Sequence, residues 1–167
     1  TKGWVMKMAN GIVFVLVASI SPAVLALDSA CKPILDASEK KMNQAGWHSI
    51  ATLTSGTRME SMKADGGFFR NVGGTWMKSP VNYDTAEKDM IAQMKSGEVK
   101  LTLCQSAGSE MLDGMPVTVF TSRIEMKGAP AEDSRLYIGK SDGLPYKQSG
   151  KSVQVVYRYK NILAPKI

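Results

Sequence analysis

The side chains able to do chemistry are few in this 167-residue chain. One histidine, His48, stands between Trp47 and Ser49 at the start of an extended stretch. That is the setting of a surface or turn histidine rather than of a general base. The two cysteines, Cys31 and Cys104, are each other's only partner. In an oxidising compartment they predict one disulfide, which closes a loop of about 74 residues and leaves no thiol for nucleophilic work. One histidine is too few for a metal site. No Gly-rich loop leads into a helix with Lys and Ser/Thr, and no paired-histidine helix or nucleophile elbow occurs. Asp65-Gly66-Gly67 and Asp113-Gly114 read as turns rather than as acid/base pairs. The expectation is a protein that is not an enzyme and holds no metal or cofactor.

What the chain has in quantity is soft apolar matter. Of eleven methionines, Met6 and Met8 lie in the first 26 residues, and the later ones include Met59, Met77, Met90 and Met94. Methionine is flexible and polarisable, so it lines surfaces that accept variable apolar shapes as readily as it fills a core. Phe69 and Trp76 fall nearby, around a turn that leads toward a helix. These six are candidate lining for a hydrophobic site, because binding pockets are concave and mostly apolar.

Charge narrows the partners. Beyond residue 26 there are 19 basic against 15 acidic residues, a net +4 spread without a run of like charge. Such a surface suits solubility, acidic partners or anionic lipid, and not a nucleic-acid groove.

These residues need elements to position them. Lys2 and Lys7 precede an apolar run, Gly11 to Ile20, which Ser21-Pro22 breaks before Val24-Leu25-Ala26. Residues 1–26 therefore read as a signal peptide cleaved after Ala26, with export to the periplasm; an uncleaved anchor and lipidation at Cys31 are the alternatives. Residues 27–167 are the length of one domain, expected to be a monomer.

Within it, Cys31 to Ala45 predicts a helix with the stripe Ile34, Leu35, Ser38, Met42 and Ala45 and a stop at Gly46. A second helix is expected from an Asp84-Thr85 cap to Gly97, with Ala86, Met90, Ile91 and Met94 as its apolar face. About eight strands account for the rest, joined mostly by tight turns and expected as one antiparallel sheet in sequential order. They run 47–55, 57–64, 68–72, 75–78, 98–104 and 115–127, then through the hairpin about Ser141-Asp142-Gly143 into 153–160, with 128–133 as a loop. A sheet that long curls with its own twist and must fill its concave face. The fold class is α+β: an unclosed half β-barrel with two helices as its lid.

The order helix, strands, Gly73-Gly74-Thr75-Trp76, short helix, then Asp113-Gly-Met-Pro-Val-Thr-Val-Phe120, Leu136-Tyr-Ile-Gly139 and Asp142-Gly-Leu-Pro-Tyr146 resembles the LolA-like proteins. That superfamily includes the periplasmic lipoprotein carrier, its outer-membrane receptor and lipid-binding lipoproteins. The resemblance spans roughly residues 34–165. It implies a half-barrel whose hydrophobic cavity takes acyl chains, with Leu136, Ile138 and Leu144 as further cavity positions. A periplasmic carrier for a lipid or lipoprotein acyl chain is the first reading. An envelope protein-interaction module with a self-filled barrel is the second, and a hydrolase or isomerase using a cavity carboxylate the third.

Overall fold

In the computed structural model residues 27–167 are described, so the expected signal peptide lies outside the described residues. A short 3-10 turn, Ser29–Cys31, opens the described chain, its first N–H groups capped by the Asp28 carboxylate, which accepts from Ala30 N at 3.0 Å. It leads into α1 (Lys32–Met42), where Pro33 occupies the first turn at no hydrogen-bond cost. Strands β1 (Trp47–Leu53), β2 (Arg58–Ala64), β3 (Gly67–Val72) and β4 (Thr75–Lys78) follow as a meander. Next comes α2 (Tyr83–Ser96), capped by Asn82 rather than by Asp84-Thr85. The Asn82 side chain accepts from Thr85 N at 3.0 Å, and Gly97 ends the helix at φ +81°. A second meander completes the chain: β5 (Lys100–Leu112), β6 (Met115–Glu125), β7 (Glu132–Gly139), β8 (Pro145–Gly150) and β9 (Val153–Arg158).

All nine strands form one antiparallel sheet in the order β4-β3-β2-β1-β9-β8-β7-β6-β5. The expected sequential order is corrected at one point. The last strand pairs with the first along its whole length, from Leu53 opposite Val153 to His48 opposite Arg158. The break falls instead between β4 and β5, where α2 is inserted, and those two strands are the open edges. The sheet is an unclosed half-barrel with two helices on one face. β5 runs eight residues past the expected end because bulges at Thr102/Gln105 and Ser106/Ser109, with Leu103 at φ +52°, break its alternation. β7 likewise begins inside the segment read as a loop.

Alternation sorts the sheet into two faces. On the helix face, Trp47, Leu136, Ile138 and Leu101 are buried with Leu35, Ala37 and Ile91 of the helices. Opposite them, Met62, Phe69 and Ala64 are covered by Trp76 and by Ile162 and Ala164 of the C-terminal segment, and Val117, Val119 and Tyr137 make a second outer cluster. The Cys31–Cys104 disulfide forms as expected, pinning the start of α1 to β5 among Leu35, Ile91 and Leu101.

The β7–β8 hairpin shows how tightly this packing is drawn. Gly139 N donates to Leu144 O at 2.9 Å, and Asp142 accepts from Leu144 N and from the Tyr146 hydroxyl at 3.0 and 2.7 Å. Burial first, and then the Asp142 carboxylate, push the Tyr146 phenol up to about 12. A Cβ on Gly139 would stand 2.5 Å from Asp142 Oδ1 and 2.8 Å from the Tyr146 ring. Gly139→Ala should therefore lower the urea-derived unfolding free energy by about 1–3 kcal/mol. An unchanged midpoint would show that the hairpin relaxes freely.

On the outer face His48 Nε2 and Glu60 Oε2 lie 2.8 Å apart, and Arg58 Nε donates to Glu60 Oε1 at 3.1 Å. Burial, the largest single influence, pushes the Glu60 carboxyl up, but the hydrogen bonds and charges of His48 and Arg58 outweigh it and hold the group below its ordinary 4.5. The unfolded chain thus binds this proton more readily than the folded one. The stabilisation is fully present above the ordinary value and lost as pH falls through the depressed one. Glu60→Gln should flatten the acid limb of stability below about pH 4.5. An acid limb of unchanged steepness in urea titrations would place its origin in other carboxylates.

Candidate functional site

Beneath α2, between both helices and the β5–β8 half of the sheet, lies a cavity of about 240 Å³. Ile34, Leu35 and Ser38 line it from α1; Glu87, Met90, Ile91 and Met94 from α2; Leu101, Ile124, Met126 and Leu136 from the sheet side. Its polar patch is small. Ser122 and Ser134 hydroxyls, both buried, bond each other at 3.2 Å, and Gln148 lies beside them. Met90 and Met126 are 37% and 42% exposed, so they stand at the mouth. The volume is below the roughly 300–1,000 Å³ of small-molecule sites, so a whole acyl chain enters only if α2 gives way.

The attachment of α2 is suited to that. Only Ile91 of the helix is buried. Its N-terminal half is held by Tyr83, whose ring lies 5.7 Å from those of Trp47 and Phe68, and by two part-buried ion pairs, Lys63–Asp84 and Lys41–Glu87, both 2.6 Å. The C-terminal half has one exposed pair, Lys95–Glu39 at 2.8 Å, which contributes at most about 1 kcal/mol. A larger recess of about 560 Å³ follows the seam between α1 and α2, but Glu39, Asn43, Asp84, Lys88 and Lys95 make it polar and open. The smaller, apolar cavity is the better match to an apolar ligand.

Of the candidates read from sequence, Met90, Met94 and Leu136 line this cavity. Ile138 lies on the same face one register step along, buried against Ala37 of α1. Leu144 is buried in the hairpin turn. Met59 and Met77 face the helix side, but from β2 and β4, across the sheet from the cavity wall. Phe69 and Trp76 are placed on the opposite face, because Phe69 pairs with Met62 across β2–β3 and its ring meets the C-terminal segment.

Two charged residues, Glu87 in the cavity wall and its partner Lys41 behind it, escaped sequence reasoning. Lys41 is buried between the Trp47 and Tyr157 rings, and burial above all pushes the Tyr157 phenol up, against the pull of Lys41. A signal existed. Lys41 follows Ile34 by seven residues and Glu87 precedes Ile91 by four, so the apolar stripes of the two helices carry charge of opposite sign.

Among the described residues no three metal-ligating side chains converge, and no helix is long and apolar enough to cross a membrane. No protein family and no curated protein sequence matches the chain. Solved structures do. The Mycobacterium tuberculosis lipoprotein LppX aligns at 15% identity with TM-score 0.52, over 83% of this chain and 97% of LppX. LprF from Mycobacterium bovis aligns at 13% and 0.47, over 83% and 94%. A chain of the Pseudomonas aeruginosa MucA/MucB complex aligns at 11% and 0.48, over 81% of this chain and 58% of its own. None of the three is named as LolA-like, and what LppX shares with this chain is its fold.

Proposed function

We propose that this chain is an exported binding or carrier protein for an acylated ligand, working in the periplasm by burial of apolar chain beneath α2. The observation that carries the reading is the apolar cavity under a helix with a single buried residue. No bond is made or broken. Each methylene taken from water contributes about 0.8 kcal/mol, so one long chain supplies useful affinity without many polar contacts. Methionines at the mouth adapt to chains of different length and branching. Basic residues spread over the surface favour approach to anionic headgroups and membrane surfaces. The periplasmic address rests on the leader-like residues 1–26, and the LolA-like resemblance agrees with both parts of the reading.

The test is native mass spectrometry of the exported protein purified without detergent, with organic extraction of what travels with it. A discrete added mass that resolves into acylated species is the expected result. A bare polypeptide mass, together with no uptake of a fluorescent fatty acid, would overturn the proposal.

A second reading, an envelope interaction module, draws on the thirteen-residue edge strand β5, whose Leu103 and Met111 are 65% and 67% exposed. An open edge of that length can accept a partner strand. It gains if the cavity stays empty in both measurements.

A further inference from the structure

Next to Glu87 of the cavity wall, Lys41 of α1 is 9% exposed, and its ammonium stands 5.4 Å from the Trp47 ring centre and 4.8 Å from that of Tyr157. Two aromatic walls favour and position a cation there. Its counter-ion is not a neighbour on α1 or the sheet but Glu87 of α2, at 2.6 Å. That carboxylate is the ammonium's one charged partner among the described residues.

Glu87 is also part of the cavity lining, on the same stripe of α2 as Ile91 and Met94. When the Glu87 side chain turns aside to admit a chain, the ammonium loses its counter-ion. A buried ammonium without a counter-ion is strongly unfavourable. An incoming anion restores the pair.

We infer that Lys41, reached from the cavity through Glu87, is an anion-binding site, that Glu87 is its resident substitute, and that the ligand is an acyl chain carrying an oxyanion headgroup. The chain extends toward Met94, Ile124 and Leu136, and the headgroup takes the place of the Glu87 carboxylate. Displacement of Glu87 and headgroup binding are then one exchange, which keeps the buried charge paired in both states. Carboxylate and phosphate share this chemistry. The inference rests on the proposed function and adds the class of headgroup.

The experiment titrates the purified protein with hexadecanoate, hexadecyl phosphate and hexadecanol, which share one chain and differ in the headgroup. At least one anion should bind about tenfold or more tighter than the alcohol, the range of a hydrogen bond to a charged group. Which of the two binds better tells a carboxylate from a phosphate source. Lys41→Met should bring the anion-to-alcohol ratio to about one. Glu87→Gln, which leaves Lys41 in place and weakens its competitor, should raise that ratio several-fold, roughly the value of a charge-assisted over a neutral hydrogen bond. The second variant also decides the matter if Lys41→Met does not fold. Equal affinities in the parent protein, a ratio unchanged by Lys41→Met, or one not raised by Glu87→Gln would overturn the anion site and leave the carrier reading standing. Uptake of none of the three would overturn both.

Discussion

Replacing Cys31 and Cys104 together by alanine is expected to lower the unfolding free energy by about 4 kcal/mol, a large share of the stability of an ordinary small domain. The bridge spans a sequence separation of 73 residues and ties the start of α1 to β5 across half of the fold. Cross-linking a loop of that length removes a large share of the unfolded chain's freedom. The two sulfur atoms also sit in the core cluster with Leu35, Ile91 and Leu101, so their loss thins the packing beneath both helices. Urea unfolding of the double variant against the oxidised parent is the measurement. A loss below about 1 kcal/mol would show that burial of Leu35 and Ala37 secures α1 without the cross-link.

Loss of ligand uptake from a single charge at Met94 is the second large effect. Met94 lines the cavity from α2 and packs on the Cys31–Cys104 cluster, and no strand pairing depends on it. A carboxylate placed there by Met94→Glu must either stay hydrated, which floods the apolar space, or be buried unpaired. Fluorescent fatty-acid binding should weaken by about a hundredfold or more, since several methylenes at about 0.8 kcal/mol each lose their dry contact. Far-ultraviolet circular dichroism should be unchanged, because no strand pairing of the nine-stranded sheet runs through α2. Met94→Leu, which conserves volume and polarity, should bind as the parent does. Unaltered uptake in Met94→Glu would place the ligand elsewhere.

Much of this architecture is legible residue by residue. The apolar periods of residues 32–42 and 83–96 name both helices, and the glycine-centred turns at 65–67, 73–74 and 113–114 name the meanders. The methionines of α2 point to the cavity because they recur at helical spacing on one stripe. Other readings miss for physical reasons. Gly46 reads as a helix stop, yet α1 ends at Met42. A Cβ at Gly46 would stand 3.1 Å from Lys63 O and 3.3 Å from Ile162, so its smallness serves contacts with residues distant in sequence. The polar run Gln105 to Glu110 conceals a strand because both of its faces are exposed and bulges disturb its period.

By itself the sequence determined the fold class, the two helices, the strand-and-turn alternation, the disulfide and the scarcity of catalytic side chains, because each is written in residue type and short-range spacing. Tertiary structure alone decided that β9 closes on β1 and that the sheet opens at α2. It also decided that Phe69 and Trp76 face away from the cavity and that Lys41 meets Glu87. Strand order, the face a residue presents and the partner of a buried charge all depend on contacts tens of residues apart, for which local periodicity carries no information.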